Sequence, residues 1–182
     1  MAETRQSHIS ETPWEDNNWT KARYFSFIRS ALRSATMKYP AKQKYLESKC
    51  RKAPIGSKAK KVVNCEECNL EMAKSHAHVD HIIPCGSLKD FSDMERFSKI
   101  LFCGLGNFAA LCKQCNEIYA FADRQNMTFN EAKVEKEAIK LMGGMSAIGQ
   151  KEFLLKKGFP VRRTANDKKR RACFRELCTK NY

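Results

Sequence analysis

The chain has 182 residues, 42% of them hydrophobic and 30% charged, with a formal net charge of +14. This length suits one medium domain, or a small module with helical flanks. No apolar run approaches the roughly 18 residues of a membrane span, and the polar start over residues 1–6 lacks a secretory signal's apolar stretch. A globular protein that stays in the cytoplasm is expected, with no membrane partner.

The charge is unevenly spread. Residues 21–61 carry thirteen Lys and Arg against Glu47 alone, and residues 128–182 carry fourteen against six acids. Residues 62–127 hold nine acids against six bases, and residues 1–20 are mildly acidic. Two basic arms around an acidic centre suit a polyanion, because each Lys or Arg at a phosphate releases condensed counterions. Arg23, Lys60, Lys61 and the run Lys168-Lys169-Arg170-Arg171 are the candidate phosphate contacts.

In chain order, residues 1–19 read as an acidic flexible tail. Tyr24, Phe25, Ile28, Ala31, Leu32 and Ala35 recur at three- and four-residue spacing, which predicts an amphipathic helix over 20–37 that Pro40 ends. A second helix is expected over about 41–52, then a loop through Pro54 and Gly56. This basic helical arm, 20–61, leads into a central module at 62–126. There, Val62 to Cys65 reads as a strand, His76 to Ile83 as another ending at Pro84, and Ser92 with Glu95 as a capping box opening a helix to about Leu101. Gly104 to Asn107 is a turn, Phe108 to Leu111 a strand, and a helix follows from about Gln114 to Arg124. The basic C-terminal region, 127–182, should hold a helix capped by Thr128 and Glu131 and stopped by Gly143-Gly144, then helices near 148–157 and 167–179.

Nine cysteines is an odd count for a disulfide scaffold. Cys65-x2-Cys68 and Cys112-x2-Cys115 have knuckle spacing, and four thiolates around one tetrahedral Zn²⁺ make a closed, structural site. Cys50, Cys85, Cys103, Cys173 and Cys178 default to small buried apolar residues.

Between the knuckles stand His78-Val79-Asp80-His81-Ile82-Ile83-Pro84 and Asn107-Phe108-Ala109-Ala110-Leu111, followed by Cys112-Lys113-Gln114-Cys115-Asn116. This constellation closely resembles the signature of the HNH endonuclease family: an Asp-His-Ile-x-Pro strand, then Asn, four residues, Cys-x2-Cys and a final His or Asn. The match covers about residues 65–119. The arm from Trp19 to Arg33 also resembles the flank of some phage-encoded HNH proteins.

The resemblance implies an α+β fold with a small ββα-metal core, a structural zinc site of four cysteines and basic helical flanks. It implies His81 as general base, Asp80 and Asn116 as oxygen ligands of one catalytic Mg²⁺ or Mn²⁺, and Asn107 as brace of the loop. His78 shares a strand face with Asp80 and is a further candidate to assist the metal. The chain departs from the family pattern at Asn116, an Asn in place of the final His, and at Tyr119, where a Lys is common. Double-stranded DNA is the expected substrate, cut to a 5′ phosphate and a 3′ hydroxyl, with RNA the alternative polymer and a homodimer an open assembly. A catalytically silent, zinc-stabilised DNA-binding module is the competing reading.

Overall fold

Side-chain caps and backbone demand decide where the elements of this chain begin and end. The computed structural model describes residues 9–179; residues 1–8 of the tail read as flexible lie outside that range. Pro13–Asp16 is a short helix (α1), entered at a proline. The Thr20 hydroxyl accepts from the Arg23 N–H at 3.2 Å and opens α2, Lys21–Thr36. Phe25 is the buried centre of the α2 stripe, with Tyr24, Ile28 and Leu32 half-buried beside it; Ala31 and Ala35 are exposed. Trp14 of α1 packs its ring 6.0 Å from Phe25 and 5.8 Å from Tyr24, so the segment just before α2 is docked rather than loose.

Pro40–Lys49 forms α3, shorter than expected. Cys50 is extended and Arg51–Lys52 becomes a strand, β1, paired antiparallel with β2, Lys61–Asn64. The other edge of β2 pairs with β3, Glu71–Ala73, so the sheet order is β1-β2-β3. Sequence reading missed both flanking strands. They are two and three residues long and lack the alternation that marks a half-buried strand.

The strand expected over 76–83 is reduced to β4, His78–His81, preceded by a 3₁₀ turn at Lys74–His76. It pairs antiparallel with β5, Phe108–Leu111, placing His81 opposite Phe108 and Asp80 opposite Ala109. The capping box before α4 (Met94–Leu101) lies two residues earlier than Ser92 and Glu95. Asp90 and Asp93 cap a 3₁₀ turn, the Asp93 carboxylate accepting from the Asp90 N–H at 3.1 Å. Phe97 and Leu101 of α4 are buried with Phe25, Cys85 and Leu88.

Residues 113–179 are mainly helical: α5, Lys113–Gln125; α6, Phe129–Met142, with the expected Thr128–Glu131 capping box; α7, Ala147–Lys156, capped by Ser146; α8, Val161–Thr164, absent from the sequence expectations; and α9, Asp167–Thr179. Helices and antiparallel strands together make the chain an α+β protein. It divides into two compact units, Met1–Cys112 and Lys113–Tyr182. The division precedes the 126/127 boundary drawn from the motif, because α5 buries Ile118 and Ala122 against Ala132 of α6. Among the described residues, no helix is long and apolar enough to cross a membrane.

In the second unit, Phe174 and Cys173 of α9 are fully buried with Ala138 and Leu154. Beside them Glu135 of α6, 2% exposed, is ion-paired to Arg171 and, at 3.3 Å, to Arg175. These two arginines are the counterions of the buried carboxylate.

In the first unit one carboxylate ties three segments. The Glu66 backbone N–H donates to the Ala110 carbonyl at 2.8 Å, and its side chain accepts from the Ala110 N–H at 2.6 Å. The same side chain accepts from the Tyr45 hydroxyl and the Lys49 ammonium of α3. Burial first, then the Glu66 carboxylate, pushes the Tyr45 hydroxyl up to about 12, so it remains a donor. Burial alone would raise the Glu66 carboxyl, but Lys49, Tyr45 and Ala110 outweigh it and hold it below its ordinary 4.5. A depressed carboxyl stabilises the fold above that value and loses its contribution as pH falls below it. Glu66→Gln should therefore cost about 1–3 kcal/mol at pH 7 by urea denaturation. The gap to wild type should close as the pH is lowered below 4.5.

Candidate functional site

The first knuckle is a tight turn off β2. The Cys65 N–H donates to the Leu70 carbonyl and the Asn69 N–H to the Cys65 carbonyl, each at 2.9 Å, with Asn69 in the left-handed region at φ 58°. Asparagine tolerates that conformation better than most residues, which suits it to the position after Cys68. The second knuckle leaves β5 at Cys112 and enters the first turn of α5 at Cys115.

The Sγ atoms of Cys65, Cys68, Cys112 and Cys115 all lie within 4.8 Å of one another, and those of Cys68 and Cys112 are 3.8 Å apart. Four sulfurs tetrahedrally disposed about 2.3 Å from one ion would be about 3.8 Å apart, so the cluster fits a metal of that kind. Burial would raise the Cys65 thiol, but the backbone N–H groups of Cys112, Cys68 and Glu67 overcome it and bring it down to about 7. A thiol so placed is readily a thiolate, the form that binds metal. Among the described residues this is the one group of three or more His, Cys, Asp or Glu close enough to share an ion.

His81 closes β4. Its Nε2 lies 3.1 Å from the Leu101 carbonyl oxygen, and a carbonyl can only accept. Nε2 therefore carries the proton of the neutral ring, which leaves the lone pair on Nδ1. The ring packs 5.2 Å from Phe108, its cross-strand neighbour. Burial first, then the charges of Lys42 and Arg33, pull the imidazole below its ordinary 6.5, against the Leu101 carbonyl and Asp80. The ring is neutral at pH 7.

Asp80 is half-buried, and its Oδ1 accepts from the His81 backbone N–H at 2.9 Å. A single carboxylate of this kind suits Mg²⁺ or Mn²⁺, which keep several waters and take few protein ligands. Asn116 lies next to Cys115 in the first turn of α5 and is half-buried. His76 and His78 are exposed; His76 belongs to the 3₁₀ turn and so does not share the β4 face with His78 and Asp80.

Asn107 binds the segment after β4 at three points. Its carbonyl accepts from the Ile82 N–H at 3.1 Å, its side-chain oxygen from the Ile83 N–H at 2.8 Å, and its amide donates to the Ile83 carbonyl at 3.4 Å. Beyond this clamp Ile82 and Ile83 are exposed, and the chain stops being strand.

The expected phosphate contacts differ in how far other groups engage them. The Arg23 guanidinium stacks 4.7 Å from the Trp19 ring. Lys60 is exposed, and Lys61 is ion-paired to Glu47, which also holds Lys74. Within the α9 run, Lys168 is exposed, while Lys169 donates to the Arg162 carbonyl at 3.1 Å. Arg170 donates to Gln150 at 3.0 Å, and Arg171 serves Glu135.

A surface depression of about 430 Å³ over β2 and β3, lined by Ser57, Lys58, Glu71 and His76 among others, does not include His81. No protein-family model matches this chain, and neither curated proteins nor solved structures show significant similarity to it.

Asn107→Ala removes two of the three clamp bonds and leaves the β4–β5 ladder intact. Amide exchange should accelerate at Ile83 far more than at Ala110, at a stability cost of about 1–2 kcal/mol. Equal acceleration along both strands would show that the side chain holds the whole hairpin instead.

Proposed function

We propose that this chain is a metal-dependent DNA endonuclease of the HNH type, its β4, β5 and α5 forming a ββα-metal core. The observation that carries the reading is His81: a neutral imidazole whose Nε2–H is committed to the Leu101 carbonyl, with Asp80 beside it and Asn107 fixing the following segment. Charge supports a nucleic-acid substrate, through the +14 net charge and the basic 21–61 arm.

In this reading Nδ1 of His81 takes a proton from a water whose oxygen attacks the scissile phosphorus. The P–O3′ bond breaks and the leaving O3′ takes a proton from solvent water, leaving a 5′ phosphate and a 3′ hydroxyl. Leu101 keeps the ring in the tautomer that accepts, and Asn107 keeps β4 from slipping beneath it. Asp80 and Asn116 offer oxygens to one divalent ion, which when bound supplies positive charge against the phosphate and the leaving oxygen. Zinc is the structural ion proposed for Cys65, Cys68, Cys112 and Cys115.

Purified protein incubated with supercoiled plasmid and Mg²⁺ or Mn²⁺ should yield nicked or linear product. His81→Ala should lower the rate by about 10²- to 10⁴-fold. The acid limb of the rate profile should fall below 6.5, because the ring must be protonated to lose its base function. Elemental analysis should find one zinc per chain, lost in Cys68→Ser. Binding without cleavage would return the protein to the silent-module reading, and equal product from His81→Ala would remove the base assigned here.

A further inference from the structure

In the second unit a short connection gathers cations from the two helices it joins. Helices α8 and α9 are linked through Ala165 and Asn166, and the Asn166 side chain caps α9 by accepting from the Lys169 N–H at 2.9 Å. The Lys169 ammonium reaches back past that link to donate to the Arg162 carbonyl at 3.1 Å. Residues on two different helices are thereby brought together. Beside this bond lies a depression of about 240 Å³, lined by Arg162, Arg163, Lys169 and Ala172. Ala172 follows Lys169 by three positions, on the same face of α9, and its short side chain leaves a hollow among three long ones.

Among the described residues no acid lines this hollow. Of the acids on α9, Glu176 pairs with Arg163 at 2.7 Å and Asp167 with Arg170 at 3.5 Å. Arg163 also lies 5.2 Å from the centre of the Phe159 ring, so its guanidinium is held in place. Arg162 makes no ion pair among the described residues, and the one carbonyl bonded to Lys169 takes a single proton of an ammonium that carries three. A concave surface with three cations and no lining acid favours an anion. We infer that the α8–α9 hollow is a phosphate-binding site, taking a backbone phosphate of duplex DNA. The choice of DNA rests on the nucleic-acid substrate proposed above; the anion binding does not. Arg162 supplies a planar fork suited to two phosphate oxygens and Lys169 a compact charge, so the pair positions the backbone without reading its sequence. The surplus of fourteen bases over six acids in residues 128–182 adds a favourable field around it. The helical unit thereby has a hold on the polymer that uses no residue of the hairpin around His81.

Binding of a labelled DNA duplex to full-length His81→Ala protein is measured across a range of salt concentrations. In that background Arg162→Gln and Lys169→Gln should each reduce the slope of log affinity against log salt by about 0.9, and by about twice that together. Arg162→Lys, which keeps the charge, should keep the slope. Lys168→Gln, an exposed neighbour on α9 that does not line the hollow, should change the slope by less than half as much. Unchanged slopes in the Arg162→Gln and Lys169→Gln variants, or an equal effect from Lys168→Gln, would overturn the site. Titration with inorganic phosphate, followed by phosphorus NMR, separates the two sources of the anion. Phosphate bound by the parent and lost in the double variant, with duplex slopes unchanged, would overturn the assignment to DNA. Plasmid cleavage by the wild type is scored separately. Reduced slopes without cleavage keep the site and remove the endonuclease reading, whereas cleavage with unchanged slopes does the reverse.

Discussion

The register between β4 and β5 is the constraint on which the rest of the site depends. Side chains alternate along a strand, so a slip of one residue would turn His81 away from Leu101 and put Asp80 in its place. Two devices oppose that slip. Asn107 holds the end of β4 from just before β5, and Glu66 holds Ala110 through both backbone and side chain. The thiol cluster adds a third point, because Cys68 and Cys112 close a loop of 44 residues around the hairpin. A long loop pinned at its base has far fewer open conformations available, whatever then happens inside it.

Much of this was legible in the residues. The paired Cys-x2-Cys spacings announce a shared sulfur site, and the four sulfurs do come together. Asn107 as a brace came only through the family resemblance, and its bonds to Ile82 and Ile83 are visible in the fold alone. The elements that sequence reading missed have weak local signals. Arg51–Lys52 looks like the end of a helix, and only pairing with Val62 and Lys61 makes it strand. The α9 run shows the opposite failure. Arg170 and Arg171 look like free charge, yet Gln150 and the buried Glu135 claim them, and a partner 20 or 36 residues away leaves no local trace.

The aromatic packing at the start of the first unit has a practical consequence. Both tryptophans of the chain, Trp14 and Trp19, sit there, one packed on Phe25 and Tyr24, the other against Phe27 and the Arg23 guanidinium. Indole emission therefore reports on Met1–Cys112 and is blind to the helices of Lys113–Tyr182. A melt followed by fluorescence and one followed by far-ultraviolet dichroism watch different parts of the molecule, and any offset between the two curves measures how independently its halves come apart.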